Sequence, residues 1–121
     1  MKNFVLLVNT APYENRINYS AAKFAQALLD EGFHILQIFF YASGVMNASQ
    51  LSEVESAELD MKSHWQALYE QGVPLVLCMS AAQKRGVVAH NLNTIFTEGS
   101  LSDFAMVSIV ADKIVQFGKY R

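Results

Sequence analysis

Only one cysteine stands among these 121 residues. A lone thiol cannot close a disulfide within the chain, which suits a reducing compartment. It also excludes internal thiol exchange of the Cys-x-x-Cys type. There are only three histidines, and no set of His, Cys, Asp and Glu has metal-ligand spacing, so no metal site is expected. Charge is scarce too. Asp, Glu, Lys and Arg make up 17% of the chain, against roughly 25% in ordinary globular domains. The net charge is −2, and no basic stripe is available to track a phosphate backbone, so direct nucleic-acid binding is not expected. No apolar run nears the ~20 residues that span a bilayer. The apolar start at Phe4 to Val8 is too short for a secretion signal's apolar region plus cleavage site. A cytoplasmic protein with no membrane association is the expectation.

Apolar residues are what the chain has in quantity: 52% of it is hydrophobic. That supports a packed core rather than disorder. The length fits one domain, residues 1–121. A domain this small has much surface to cover. The shortage of charge therefore suggests that other subunits cover part of it.

Phe4 to Val8 is an apolar run of strand length, as suits a strand covered on both faces. A polar loop through Pro12 and Tyr13 follows it. Ile17, Ala21, Phe24, Ala25, Leu28 and Leu29 recur at helical spacing, and Gly32 closes that helix. A second strand runs from Ile35 to Tyr41. Ala42 to Ala57 is a long connection of the kind that is often functional or subunit-covering. Leu59, Met61, Trp65, Leu68 and Tyr69 mark a second helix before Gly72. Val73 to Cys78 reads as a third strand, with a short helix opening at Met79. A fourth strand is expected at Thr94 to Thr97. Ser100 caps a last helix whose buried face is Leu101, Phe104, Ala105, Val107, Ser108 and Val110. Lys113 to Phe117 is the fifth strand. Strands alternating with helices predict a three-layer α/β/α sandwich around a mainly parallel five-stranded sheet, flavodoxin-like in architecture. Phe40, Tyr41 and Val45, near the sheet's C-terminal edge, are the candidate subunit contacts.

Cys78 falls where the third strand meets a helix N-terminus. Open α/β sheets carry their sites at that edge, and a helix N-terminus favours an anion such as a thiolate. Ser80 is positioned to cap the short helix, with Lys84 and Arg85 within two turns. The other reading is a packed core residue, since free cysteine is among the most buried residue types. The residues leave both readings open. A nucleophilic thiol running acyl transfer needs a base. His34 opens a strand at the opposite sheet edge, His64 lies in a helix, and only His90 is in a loop near Cys78. A thiol that accepts a sulfur atom as a persulfide needs no second cysteine in its own chain. Phosphate chemistry is disfavoured. The first loop lacks the Gly-rich, hydroxyl-rich cradle of a flavin or nucleotide site. A receiver domain's acidic residue is replaced by Cys78. No cofactor is expected.

Four stretches resemble the DsrE/DsrF-like sulfur relay family. They are Lys23 to Leu29 with Gly32; Ile38 to Tyr41 followed by Gly44-Val45 and Asn47 to Leu51; Cys78-Met79-Ser80-Ala81-Ala82 with Arg85 to Val88; and Asp112 to Phe117. The likeness runs over nearly the whole chain and is most specific at the cysteine segment. It departs in a short connection between Val88 and Thr94. The resemblance implies a sulfurtransferase in which Cys78 is the sulfur-accepting catalytic residue. It further implies TusB-like and TusC-like sister subunits in a heterohexamer, a TusA-like sulfur donor and a TusE-like acceptor. The sulfur would end in 2-thiouridine at the tRNA wobble position. Two alternatives stand beside it: a non-catalytic structural subunit of the same complex, and a DsrE-type role in dissimilatory sulfur oxidation. A small-ligand or flavin module on a similar sheet is the rival from another class.

Overall fold

A computed structural model of the chain describes residues 2–12, 16–50 and 61–118. Five strands, β1 (Asn3–Val8), β2 (His34–Phe40), β3 (Leu75–Cys78), β4 (Phe96–Gly99) and β5 (Lys113–Phe117), alternate with helices α1 (Ile17–Asp30), α2 (Met61–Glu70), α3 (Met79–Lys84) and α4 (Leu101–Val110). All strand pairs are parallel, in the order β4-β3-β2-β1-β5. The expected α/β sandwich is therefore present. No helix among the described residues is long and apolar enough to cross a membrane.

Strand order decides the layers. From β1 to β4 each crossover steps one strand in the same direction, so right-handed connections put α1, α2 and α3 on one face. The step from β4 back to β5 runs the other way and puts α4 on the opposite face. The main core lies under α1 and α2, where Leu6, Val8, Ile38, Phe40, Leu75 and Leu77 meet Ala21, Ala25, Leu28, Trp65 and Leu68. Gly32 and Gly72, at φ +85° and +93°, end α1 and α2 in the left-handed conformation that glycine takes without strain. In each case the next N–H returns to the helix, from Phe33 to Leu28 O and from Val73 to Leu68 O.

The connection after β2 is structured rather than open. Ala42–Ala48 forms a 3₁₀ turn, and Ser49 bridges to Leu92. The remainder of that expected connection, with Leu59 and Tyr13, lies outside the described residues. Asn47 holds the turn in place. Its Nδ2 donates to Gly44 O at 2.8 Å and to Thr10 O at 3.2 Å, while its Oδ1 accepts from Trp65 Nε1 at 3.0 Å. Thr10 O also accepts from Asn18 Nδ2 at 3.0 Å. One buried amide thus ties the β1 loop, the 3₁₀ turn and α2 together. Trp65→Phe removes the indole N–H, leaves Asn47 Oδ1 without that donor, and vacates volume against Phe40. Urea unfolding is expected to show a loss of about 2–3 kcal/mol.

Two expectations fail here. Phe40 and Val45 are 0% exposed, so they are core and not subunit contacts; the 3₁₀ turn folds back over β2 and buries its own Val45 there. Nor does α4 have a buried face. None of its residues is buried, and Phe104 alone seats a ring on the sheet, stacked on Phe39 at 4.7 Å. Met106 is 68% and Ile109 77% exposed, with Leu101, Val110 and the β5 residue Ile114 also open. A helix apolar nearly all round can bury only one side against a sheet.

Candidate functional site

Cys78 is the last residue of β3 and the N-cap residue of α3. Its backbone is still extended, at φ −74° and ψ 114°, so the chain turns from strand to helix directly behind the sulfur. The strand end and the turn enclose it, and Cys78 is 3% exposed. What opening it has faces a cleft of about 520 Å³. Tyr41, after β2, forms one wall, and Met79, Ser80 and Gln83 of α3 form another. Glu98 to Leu101 and Asp103, from the end of β4 and the start of α4, form the third. Cys78 pairs in register with Gly99, which sets the β4–α4 junction beside the sulfur. There Ser100 Oγ accepts from Asp103 N at 3.1 Å, the cap expected from the sequence.

Several expected helpers lie elsewhere. Ser80 is not the cap of α3 but its second residue, and the N-cap makes no side-chain hydrogen bond. Its Oγ instead lies 3.5 Å from Cys78 Sγ. Arg85 donates to Ala81 O at 3.2 Å, closing its own helix. Neither Lys84, Arg85 nor His90 lines the cleft. His90 belongs to the 3₁₀ turn Ala89–Asn91, His64 packs edge-on against Tyr19 at 5.3 Å, and His34 opens β2 at the far edge of the sheet. The cleft therefore has no imidazole to act as a base for acyl transfer. Its ionisable lining besides Cys78 and Tyr41 is acidic, from Glu98 and Asp103. No group of three or more His, Cys, Asp and Glu among the described residues could hold a metal ion.

Glu98 and Gly99 were missed as site residues because β4 begins two residues later than the apolar pattern suggests. Asn93 Oδ1 accepts from Ile95 N at 3.2 Å, and Phe96 N donates to Asn93 O at 3.1 Å. That turn absorbs Thr94 and Ile95. Asn93 was the available signal, since its side chain competes for backbone donors just ahead of a strand.

With this geometry, residues 2–117 match the family model for the DsrE/DsrF-like family, and the chain belongs to that family. Sulfurtransferase TusD of Klebsiella pneumoniae (strain 342) is 40% identical over 126 aligned positions, covering 94% of this chain and 98% of that protein. Sulfurtransferase TusD of Enterobacter sp. (strain 638) is 39% identical with the same coverage. With relatives of that kind along nearly its whole length, the chain is a sulfurtransferase. Two solved structures share the fold. The ychN protein from E. coli has a TM-score of 0.88 at 23% identity, covering 97% of this chain and all of that one. A protein of unknown function from Methanobacterium thermoautotrophicum, MTH1491, has a TM-score of 0.77 at 12% identity, covering 96% of this chain and 99% of that one.

Proposed function

We propose that this sulfurtransferase is a sulfur-relay subunit and that Cys78 carries the sulfur as a persulfide. One observation carries the reading: the chain's single thiol opens into a cleft at the C-terminal edge of the sheet. The Cys78 thiolate attacks the outer sulfur of a persulfide on a donor protein. A new S–S bond forms on Sγ, the donor's S–S bond breaks, and the donor leaves as a thiolate. No net oxidation occurs and no cofactor takes part. In the second step an acceptor thiolate attacks the outer sulfur on Cys78. The bond to Sγ breaks and the Cys78 thiolate is restored. A second sulfur on Sγ stands about 2 Å further out. Loading thus moves the cargo from a buried atom toward the cleft mouth, where another protein's thiol can reach it.

By the family resemblance, the donor is TusA-like and the acceptor TusE-like, and the sulfur ends in wobble 2-thiouridine of tRNA. The weak net charge of −2 suits a relay that never holds the tRNA. TusB-like and TusC-like sister subunits account for the apolar outer side of α4, which otherwise meets water. Met106→Asp with Ile109→Asp is expected to leave the isolated chain folded, because both side chains are exposed. Size-exclusion chromatography of the co-expressed subunits should show the assembly broken down. An unchanged elution profile would remove α4 from the interface.

The 3% exposure of Cys78 favours a second reading, a thiol packed as core in a non-catalytic subunit. Mass spectrometry separates the two. After incubation with a persulfide donor, the carrier reading requires one added sulfur on the Cys78 peptide, removable by a reductant. An unmodified peptide supports the core reading.

A further inference from the structure

The mechanism above needs a thiolate on Sγ twice, once as the attacking group and once as the leaving group. Few groups around Sγ could hold that anion. Cys78 is 3% exposed, so little water reaches it. The ionisable groups facing the cleft are Glu98 from β4, Asp103 from α4 and the Tyr41 phenol following β2. None of these places a positive charge beside the sulfur. Lys84 and Arg85 sit past the far end of the cleft's α3 wall, and Arg85 is engaged with Ala81 O. At six residues, α3 carries only a short dipole. Among the described residues, the sulfur's hydrogen-bond partner is Ser80 Oγ, at 3.5 Å. Local geometry produces that contact. Cys78 is the extended N-cap residue and Ser80 lies two residues on, in the first turn of α3, so its hydroxyl folds back over the sulfur.

Resting on the carrier reading, we infer that Ser80 is the positioning residue of the transfer, donating its hydroxyl hydrogen to the Cys78 thiolate in both steps. A donor to the charged form favours that form. It steadies the attacking anion before loading and the departing anion when the outer sulfur leaves. It also holds Sγ in one direction, aimed into the cleft. The sulfur receives no capping hydrogen bond from α3, so this hydroxyl takes the part that backbone N–H groups would otherwise play.

The test is the rate of Cys78 alkylation by iodoacetamide as a function of pH, in the full chain with its co-expressed sister subunits. Wild type, Ser80→Ala and Ser80→Thr are compared. Ser80 is exposed and alanine is a good helix residue, so the first variant keeps the fold. The expected result is a Ser80→Ala curve displaced about one pH unit upward, which is about tenfold slower alkylation at a pH below the transition. The high-pH plateau is unchanged, and Ser80→Thr restores the wild-type curve. Superimposed curves overturn the inference. So does a lowered plateau with an unmoved transition, which marks a structural role alone. Failure of wild type to take up sulfur, with the Ser80 displacement still present, defeats the carrier reading and leaves the hold of Ser80 on the thiol intact.

Discussion

Cys78→Ser is expected to reduce sulfur loading from a persulfide donor to background while the protein stays folded. The serine hydroxyl is nearly isosteric, but it stays protonated at neutral pH and is a poor nucleophile toward sulfur. No other thiol exists in the chain to take over. The structural cost is small because the new hydroxyl enters a site that already contains Ser80 Oγ as a partner. A loss of about 1 kcal/mol covers the burial of the extra polarity. Radiolabelled sulfur transfer followed by non-reducing gel electrophoresis reads the first effect, and a thermal melt reads the second. Loss of loading together with loss of the fold would not count for the carrier reading, so both must be measured on the same preparation.

Gly44→Ala is expected to cause the largest loss of stability of any methyl-sized change near the cleft. A Cβ at Gly44 would overlap the carbonyl oxygen of Val8 and come within 2.9 Å of the Val8 carbonyl carbon. That oxygen is not free to move. It closes the end of the β1–β2 ladder by accepting from Tyr41 N at 3.0 Å. The 3₁₀ turn cannot retreat either. Gly44 O receives Asn47 Nδ2, and Asn47 holds Trp65. Ala42, two residues earlier, already stands at φ +52°, a left-handed conformation that costs a non-glycine about 1 kcal/mol. Relieving the overlap must therefore break part of the Asn47 network or pull Tyr41 off β1. A loss of about 3 kcal/mol or more follows, seen as a fall in Tm on the order of 10 °C. Tyr41 is also a wall of the Cys78 cleft. A stable Gly44→Ala protein would show that the turn sits more loosely on β1 than described.

The sequence exposes some of this architecture and conceals the rest for physical reasons. Phe4 to Val8 is legible as a strand because a parallel strand covered by helices is a continuous apolar run. Ser100 is legible as a cap because its hydroxyl has a local donor, Asp103 N. Continuous runs have a blind side, however. They carry no alternation, so the shift of register between Phe4–Ile35 and Val5–Gln37 leaves no trace in composition. That shift skips Leu36 and decides which β2 side chains face α1 and which face α4. Burial is concealed in the same way. The apolar pattern of Leu101 to Val110 is the same whether a helix is covered by its own chain or by another. Phe40 and Val45, by contrast, look available in the sequence, but the 3₁₀ turn that contains Val45 folds inward and both are buried. Cys78 itself is legible by position, at the end of a strand before a helix. Its acidic cleft is not, because Glu98 and Asp103 arrive from β4 and the start of α4, which strand pairing brings beside Cys78 from about twenty residues away in sequence. The partnership with Ser80 is two residues long, yet it depends on which of them is the N-cap.

The most direct test of the central claim is a two-step chase with labelled outer sulfur. The full chain, assembled with its sister subunits, is loaded from a persulfide donor and freed of it. It is then mixed with a TusE-like acceptor that carries a single reactive thiol. If Cys78 is the carrier, label leaves the Cys78 peptide and appears on the acceptor cysteine in equal amount, with no added oxidant or reductant. Label that never resides on Cys78, or that reaches the acceptor equally well from the Cys78→Ser protein, contradicts it.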